Sequence, residues 1–266
     1  MTIFKHEARK ALTTPGWLII TGLLVLVAFG LPLISSINVL GPDAESGNID
    51  QLSRDYLFSV AGRSGYFAPF LAGALIVTSD FAHSTVWMSV LWFRSRLKLS
   101  VAKLLTALSL SAVLAVIAVV ANYSAVSIGY AVNDLASPAL SPDMLAMAAR
   151  TVVSFMLWGA IGVGLGLLVR SQIAAMAIVF GTALLIEPLL TSLANENSDF
   201  AVFGRFLPGP VNWSIVWPVN MTSQTNAMGS LDGSALSLVP ALLTMTAYAV
   251  LVFGAGYLLG FRKKEA

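Results

Sequence analysis

Long stretches without a charged side chain are the feature that most constrains what this chain can fold into. Only 11% of its 266 residues are charged, and 57% are apolar, whereas soluble domains carry about 25% charged residues. So few charges cannot cover a globular surface of this size, so much of the surface must face lipid. Because a helix needs about 20 apolar residues to cross a bilayer, we expect an all-α membrane protein.

The charge-free stretches predict six transmembrane helices in a single domain over 1–266. Their expected bounds are 17–39, 65–79, 104–130, 147–169, 172–193 and 236–260. The second is the shortest, and its helix is expected to continue through Asp80. Only Arg170, Ser171 and Gln172 separate the fourth span from the fifth, which predicts a tight hairpin.

Basic residues are concentrated in the segments that an inside N-terminus would place in the cytoplasm. Eleven of the 15 Lys and Arg residues fall there. Because cytoplasmic flanks carry the excess of Lys and Arg, we expect both ends of the chain inside.

Three segments differ from simple spans. Residues 1–15 place apolar and basic side chains on different helical faces, which predicts an amphipathic helix in the cytoplasmic interface. Residues 80–103 mix aromatic and basic side chains, and they fit either an interfacial anchor or a protein-docking elbow. Residues 203–218 are apolar but broken by proline and glycine, which predicts a re-entrant outer segment between the fifth and sixth spans. The outer loop at 41–63 is rich in charge, and we expect it to be solvated.

The sequence lacks several motifs that carry chemistry. It has no G-x-x-x-x-G-K-[ST], which excludes a P-loop in this chain, and it has no cysteine. Its two histidines, His6 and His83, fall in cytoplasmic flanks, where they cannot build a metal site or a serine-protease site inside the bilayer. We therefore expect no metal, no bound cofactor and no enzyme activity of its own, and we expect transport or scaffolding instead.

One acid, Glu187, lies well inside an apolar stretch. Ionisable residues within spans mark functional sites by default, so Glu187 is a candidate for a substrate path or gate. The alternative is a position near the outer end of the fifth span, either wet or paired with Arg150 or Arg205. Weaker candidates for the same path are Asn122, Phe206 and Trp213.

Glycines on the fourth span predict close helix packing. Gly159, Gly162 and Gly166 share a helical face, and small residues allow two helices to approach closely. The partner could be a helix of the same subunit or a dimer seam.

Two local patterns flank the first three spans. Before the first span an acid stands among basic residues, here Glu7 within 4–10. After the second span come an acid, a small residue with Thr, an apolar stretch, Ser-Arg, and a Lys that enters the third span. Here these are Asp80, Ser84-Thr85, 86–91, Ser95-Arg96 and Lys103. Together the patterns resemble the permease subunit of ABC-2-type exporters, although Asp80, Ser84 and Phe93 stand where Glu, Gly and Pro are usual.

The resemblance implies a permease subunit of an ATP-driven exporter in the cell membrane, specifically a bacterial inner membrane. A separate cytoplasmic ATPase would hold ATP and Mg²⁺, and a second permease subunit, identical or related, would complete the path, with no role for nucleic acid. The N-terminal helix and the elbow would transmit closure of the ATPase. The coupling residues so implied are Glu7, Asp80, His83, Thr85, Arg94, Arg96 and Lys103.

The cargo is less constrained than the mechanism. Few polar side chains occur within the spans, which favours an amphiphilic or hydrophobic substrate such as a drug, antibiotic, peptide or lipid. Two other functions remain: a proton-coupled secondary transporter that uses Glu187, and a membrane scaffold or assembly factor.

Overall fold

A computed structural model describes residues 7–10, 15–40, 51–82, 95–136, 139–196, 203–217 and 236–261. All regular structure in these ranges is helical. Within the described residues, 7–10 form a helical turn, nine longer α-helices follow, and π-helical segments lie at Thr182–Ile186 and Gly256–Phe261. We number the longer helices α1 Pro15–Val39, α2 Gln51–Ser64, α3 Phe67–Ala82, α4 Arg96–Val132, α5 Pro142–Val169, α6 Gln172–Gly181, α7 Glu187–Glu196, α8 Pro208–Val216 and α9 Leu238–Ala255.

Within the described residues, six helical segments are long and apolar enough to cross a membrane. They are Gly16–Val39, Ser53–Ala82, Arg96–Val132, Pro142–Val169, Gln172–Leu193 and Leu238–Gly260. The prediction of an all-α chain with six spanning helices is confirmed at this level, and the architecture is that of a multi-pass membrane protein.

The second span begins earlier than its predicted bounds of 65–79. Helices α2 and α3 together form it, with a break at Gly65 and Tyr66. The expectation of a solvated loop is therefore wrong for residues 51–63. Leu57 and Ala61 are buried at helical spacing in this segment, so its charges lie on a packed helix; residues 41–50 lie outside the described ranges.

The third span also begins earlier, at Arg96 and not at 104. Ser95 caps the helix, its hydroxyl oxygen accepting from the amide of Lys98. Within the predicted elbow 80–103, residues 80–82 consequently end α3 and residues 96–103 begin α4, whereas 83–94 lie outside the described ranges. Leu99 and Ala102 are buried while Leu97 and Val101 are exposed, so one side of this first part of α4 packs against the rest of the bundle.

Helix α5 lies at the centre of the bundle, where the glycines predicted to pack helices allow close contact. A β-carbon at Gly162 would collide with the carbonyl oxygen of Phe70, and one at Gly166 would lie 2.7 Å from that of Ala74. Both glycines therefore face α3, whereas Gly159 faces Ser111 of α4. The three glycines therefore serve contacts within the chain, with the two neighbouring helices α3 and α4.

The segment predicted at 203–218 contains a short buried helix. Helix α8 has nine residues, too few to span a bilayer, and two prolines near its start. Val211, Asn212 and Ile215 are fully buried, because α8 packs against α2, α5 and α9. Of the predicted amphipathic helix at 1–15, the structure describes residues 7–10 and the first residue of α1.

Candidate functional site

Three of the coupling residues implied by the resemblance meet in a buried ion cluster. The Nζ of Lys103 lies 2.5 Å from Oδ2 of Asp80 and 2.9 Å from Oε2 of Glu7. It also donates to the carbonyl oxygen of Ile76 at 3.1 Å. Lys103, Asp80 and Glu7 are each no more than 3% exposed, so three separate segments of the chain share one ammonium group.

The ammonium group of Lys103 is fully hydrogen-bonded within the cluster. An ammonium group has three donors, and Lys103 places them on acceptors from the N-terminal turn and from α3. Buried charges are tolerated only when they are paired and hydrogen-bonded. The three segments are therefore held together at this end of the bundle, which we call the basic end.

Lys10 joins the cluster from the N-terminal turn and forms an ion pair with Asp80. Burial lowers the pKa of Lys10 below its ordinary value, and the nearby charge of Lys103 lowers it further, whereas Glu7 acts in the opposite direction.

Other basic residues lie at the same end. Arg96 lies two helical turns before Lys103 on α4. The guanidinium of Arg170 lies 5.8 Å from the centroid of the Phe81 ring. Three other residues in the coupling set, His83, Thr85 and Arg94, fall outside the described residues.

A cavity of about 640 Å³ opens between α1, α2, the start of α3, the fifth span and α8. Glu187 and Trp213, both candidates for a substrate path, line it. The two other candidates lie elsewhere. Asn122 donates from Nδ2 to the carbonyl oxygen of Phe58 at 2.9 Å, which fastens α4 to α2. The carbonyl oxygen of Phe206 accepts from the hydroxyl of Tyr248 at 2.5 Å.

Glu187 is buried and directed inward. It is 8% exposed, and the hydroxyl of Tyr66 donates to its Oε2. A β-carbon at Gly209 would collide with this carboxylate, so α8 approaches Glu187 through bare backbone. Among the described contacts of Glu187 there is no ion pair with Arg150 or Arg205.

The backbone changes from α-helix to π-helix immediately before Glu187. Residues Thr182–Ile186 form a π-helical turn between α6 and α7. Such turns inside helices are frequently found at functional sites.

Asn212 fastens α8 to two helices. Its Oδ1 accepts from Nε1 of Trp158 at 3.2 Å and from the hydroxyl of Ser154. Its Nδ2 lies 3.2 Å from the carbonyl oxygen of Gly62 and 3.4 Å from that of Arg63. The same Trp158 stacks on Tyr66 with ring centroids 4.5 Å apart, and the hydroxyl of Tyr66 donates to Glu187. A series of direct contacts therefore connects Asn212 to Glu187.

Arg63 lies among three aromatic rings beside the cavity. Its guanidinium carbon is 4.2 Å from the ring centroid of Trp213, 5.5 Å from that of Tyr56 and 5.7 Å from that of Trp217. Cation–π contacts of this kind stabilise a charge that has left bulk water. The aromatic rings thus hold a permanent cation within a span.

Sequence reasoning missed four of these residues, and the reasons differ. Arg63 falls in the stretch 41–63, for which the sequence predicts a solvated loop, and Tyr66 and Trp158 resemble ordinary aromatic core residues. Asn212 could have been found, since a single amide within an apolar, proline-broken segment needs buried partners.

The described part of the chain does not bring three His, Asp or Glu side chains close enough together to hold a metal ion. The described site consists of an ion cluster at the basic end and, further along the bundle, a cavity lined by both charged and apolar side chains. In the comparisons with known proteins, no family model matches the chain, and no curated protein shows significant similarity to it.

Proposed function

We propose that this chain is the permease subunit of an ATP-driven exporter of the ABC-2 type, which moves an amphiphilic or hydrophobic substrate out of the cytoplasm. The observation that carries the proposal is the ion cluster of Lys103, Asp80 and Glu7. The resemblance implies these residues for coupling to an ATPase, although they are far apart in the sequence. Their meeting in one buried group supports that role.

The cluster would act as a mechanical joint. An ATPase docked at the basic end would push on the N-terminal segment and on the start of α4. The ammonium group of Lys103 on α4 binds both Glu7 of the N-terminal segment and Asp80 at the end of α3. Movement of any one segment would then move the other two. Tight glycine contacts between α3 and α5 would carry the displacement into the bundle.

The proposed topology places the basic end in the cytoplasm, where Lys and Arg are expected to be in excess. The N-terminal segment would lie in the cytoplasmic interface, and α8 would enter the bundle from the outer side as a re-entrant helix. The full burial of Asn212 supports this placement of α8. The ATPase would hold ATP and Mg²⁺, and a second permease subunit would complete the path in a bacterial inner membrane.

A proton-coupled secondary transporter is the second candidate. The observation that favours it is Glu187, a buried carboxylate that lines the cavity. A proton relay through the membrane needs further titratable groups, and the described lining of the cavity adds Arg63 and two tyrosines but no second acid.

The experiment is purification of the tagged chain from its native membrane in mild detergent, followed by mass spectrometry and an ATP hydrolysis assay. We expect a P-loop ATPase in near-stoichiometric amount and vanadate-sensitive hydrolysis in the eluate. A transport-competent preparation that contains no ATPase would contradict the proposal.

A further inference from the structure

The cavity beside Glu187 combines two opposite charges with an apolar rim. Glu187 and Arg63 both line it, as do Val27 and Leu31 of α1 and Leu184 of the π-helical turn. Leu31 is 44% exposed and Leu184 is 68% exposed. The rim between α1 and the fifth span therefore reaches the outer apolar surface of the bundle, where lipid chains would lie.

The two charges are not neutralised by ion pairs within the described residues. Glu187 accepts a hydrogen bond from Tyr66, and Arg63 packs on aromatic rings, but neither is within ion-pair distance of an opposite charge there, including each other. A guanidinium stacked on a ring uses its face and keeps the N–H donors at its edge for an anion. In surroundings of low dielectric constant, each charge gains from an opposite charge brought by a ligand.

Charge complementarity then selects the class of ligand. A cationic amphiphile would pair with Glu187 but would also meet Arg63, and an anionic amphiphile would meet Glu187. An uncharged apolar molecule would supply neither group with an opposite charge. Only a ligand with both charges satisfies both sides, and about 640 Å³ is within the usual size of a small-molecule site.

We propose that this cavity binds a zwitterionic amphiphile, with its cationic group at Glu187, its anionic group at Arg63 and its apolar chain along Val27, Leu31 and Leu184. The inference names the class of cargo for the proposed exporter, and it rests on the proposed function only for transport, because binding needs this chain alone.

The test is binding to the full chain in a nonionic detergent, measured by native mass spectrometry with three probes of equal chain length. The probes are lysophosphatidylcholine, lysophosphatidylglycerol and an alkyltrimethylammonium salt. We expect the zwitterion to bind about tenfold or more tightly than either singly charged probe, since each singly charged probe lacks one of the two charge-assisted contacts.

Charge-neutralising variants test the orientation of the ligand. Glu187→Gln is expected to weaken the zwitterion about tenfold and to make the anionic probe the preferred one. Arg63→Gln is expected to make the cationic probe the preferred one. Asp143→Asn and Arg150→Gln, which neutralise charges that do not line the cavity, are the matched controls and should retain the wild-type order.

Leu31→Trp serves as a variant that leaves both charges in place. Leu31 is partly exposed at the rim, so the variant should fold normally. The larger tryptophan side chain should obstruct entry to the cavity and reduce binding of the zwitterion. Equal binding of all three probes, a wild-type preference for a singly charged probe, or binding that none of the three cavity variants alters would overturn the proposal. Such a result would leave copurification of an ATPase unaffected, so the two proposals fail separately.

Discussion

The ammonium group of Lys103 lies 2.5 Å from the carboxylate of Asp80 and joins the start of α4 to the end of α3. Glu7 binds the same ammonium group, so the N-terminal turn cannot leave its place without exposing a charge of each sign. The cluster therefore links three segments that the proposed ATPase would have to move together.

Lys103→Met should strongly destabilise the protein, because it leaves two buried carboxylates without their shared cation. Loss of one partner of a buried ion pair costs about 3–5 kcal/mol. The measurement is the thermal unfolding midpoint in detergent, with Lys98→Met on the exposed side of the same helix as the control. Adding Glu7→Gln to Lys103→Met should recover part of the lost stability. Equal unfolding midpoints for Lys103→Met and Lys98→Met would contradict the claim that the cluster holds the three segments together.

Asn212→Ala should loosen α8 from the bundle. It removes the partner of Nε1 of Trp158 and of the carbonyl oxygen of Gly62, and each buried group left unpaired costs about 1–3 kcal/mol. The chain has no cysteine, so Ser214→Cys, at a position 6% exposed, can report on opening through its rate of maleimide labelling. Labelling should accelerate with Asn212→Ala and not with Asn133→Ala; an unchanged rate would mean that Asn212 does not hold α8.

Gly162→Ala should disrupt the contact between α3 and α5. The added methyl group would collide with the backbone oxygen of Phe70, and overpacking of this kind costs about 1–3 kcal/mol or more. Gly181→Ala is the matched control, since nothing lies within 4 Å of a β-carbon there. A lower yield of monodisperse protein is expected only for Gly162→Ala, and tolerance of both changes would show that α5 packs less closely than described.

Lys10 should give the stability a dependence on alkaline pH. Burial lowers its pKa in the folded chain, so between this lowered value and the ordinary value the unfolded chain binds more protons. The free energy of unfolding then rises with pH across that window. The wild-type melting midpoint should increase relative to that of Lys10→Met as the pH is raised from neutral toward the ordinary pKa of lysine, whereas a constant difference would argue against the shift.

The six spanning helices could be predicted because lipid requires long apolar stretches. The second stretch, 65–79, is too short by itself, and the sequence predicts that its helix continues through Asp80. The predicted second span, 65–79, does not include Arg54, Asp55 and Arg63, because charged residues favour a solvated loop. In the structure the span begins at Ser53. A charged residue can lie within a helical span when neighbouring side chains stabilise its charge. For Arg63 these neighbours include the rings of Trp213 and Trp217, which lie about 150 residues further along the chain.

The site was predictable only in part. The resemblance named Glu7, Asp80 and Lys103, but their contact depends on packing across 96 and 23 residues of sequence, which no local pattern encodes. Glu187 could be selected because an acid in an apolar stretch is rare. Its partner Tyr66 could not be selected from the sequence, because an aromatic residue in an apolar stretch is equally typical of a core and of a binding site.

The most direct test of the central claim is the energy source for transport in everted membrane vesicles that contain the chain and its copurifying ATPase. Uptake of a fluorescent amphiphile into the vesicles is followed with and without ATP, vanadate and a protonophore. The account predicts uptake that requires both the chain and ATP, is blocked by vanadate and survives the protonophore. Uptake that continues without ATP and collapses with the proton gradient would contradict it.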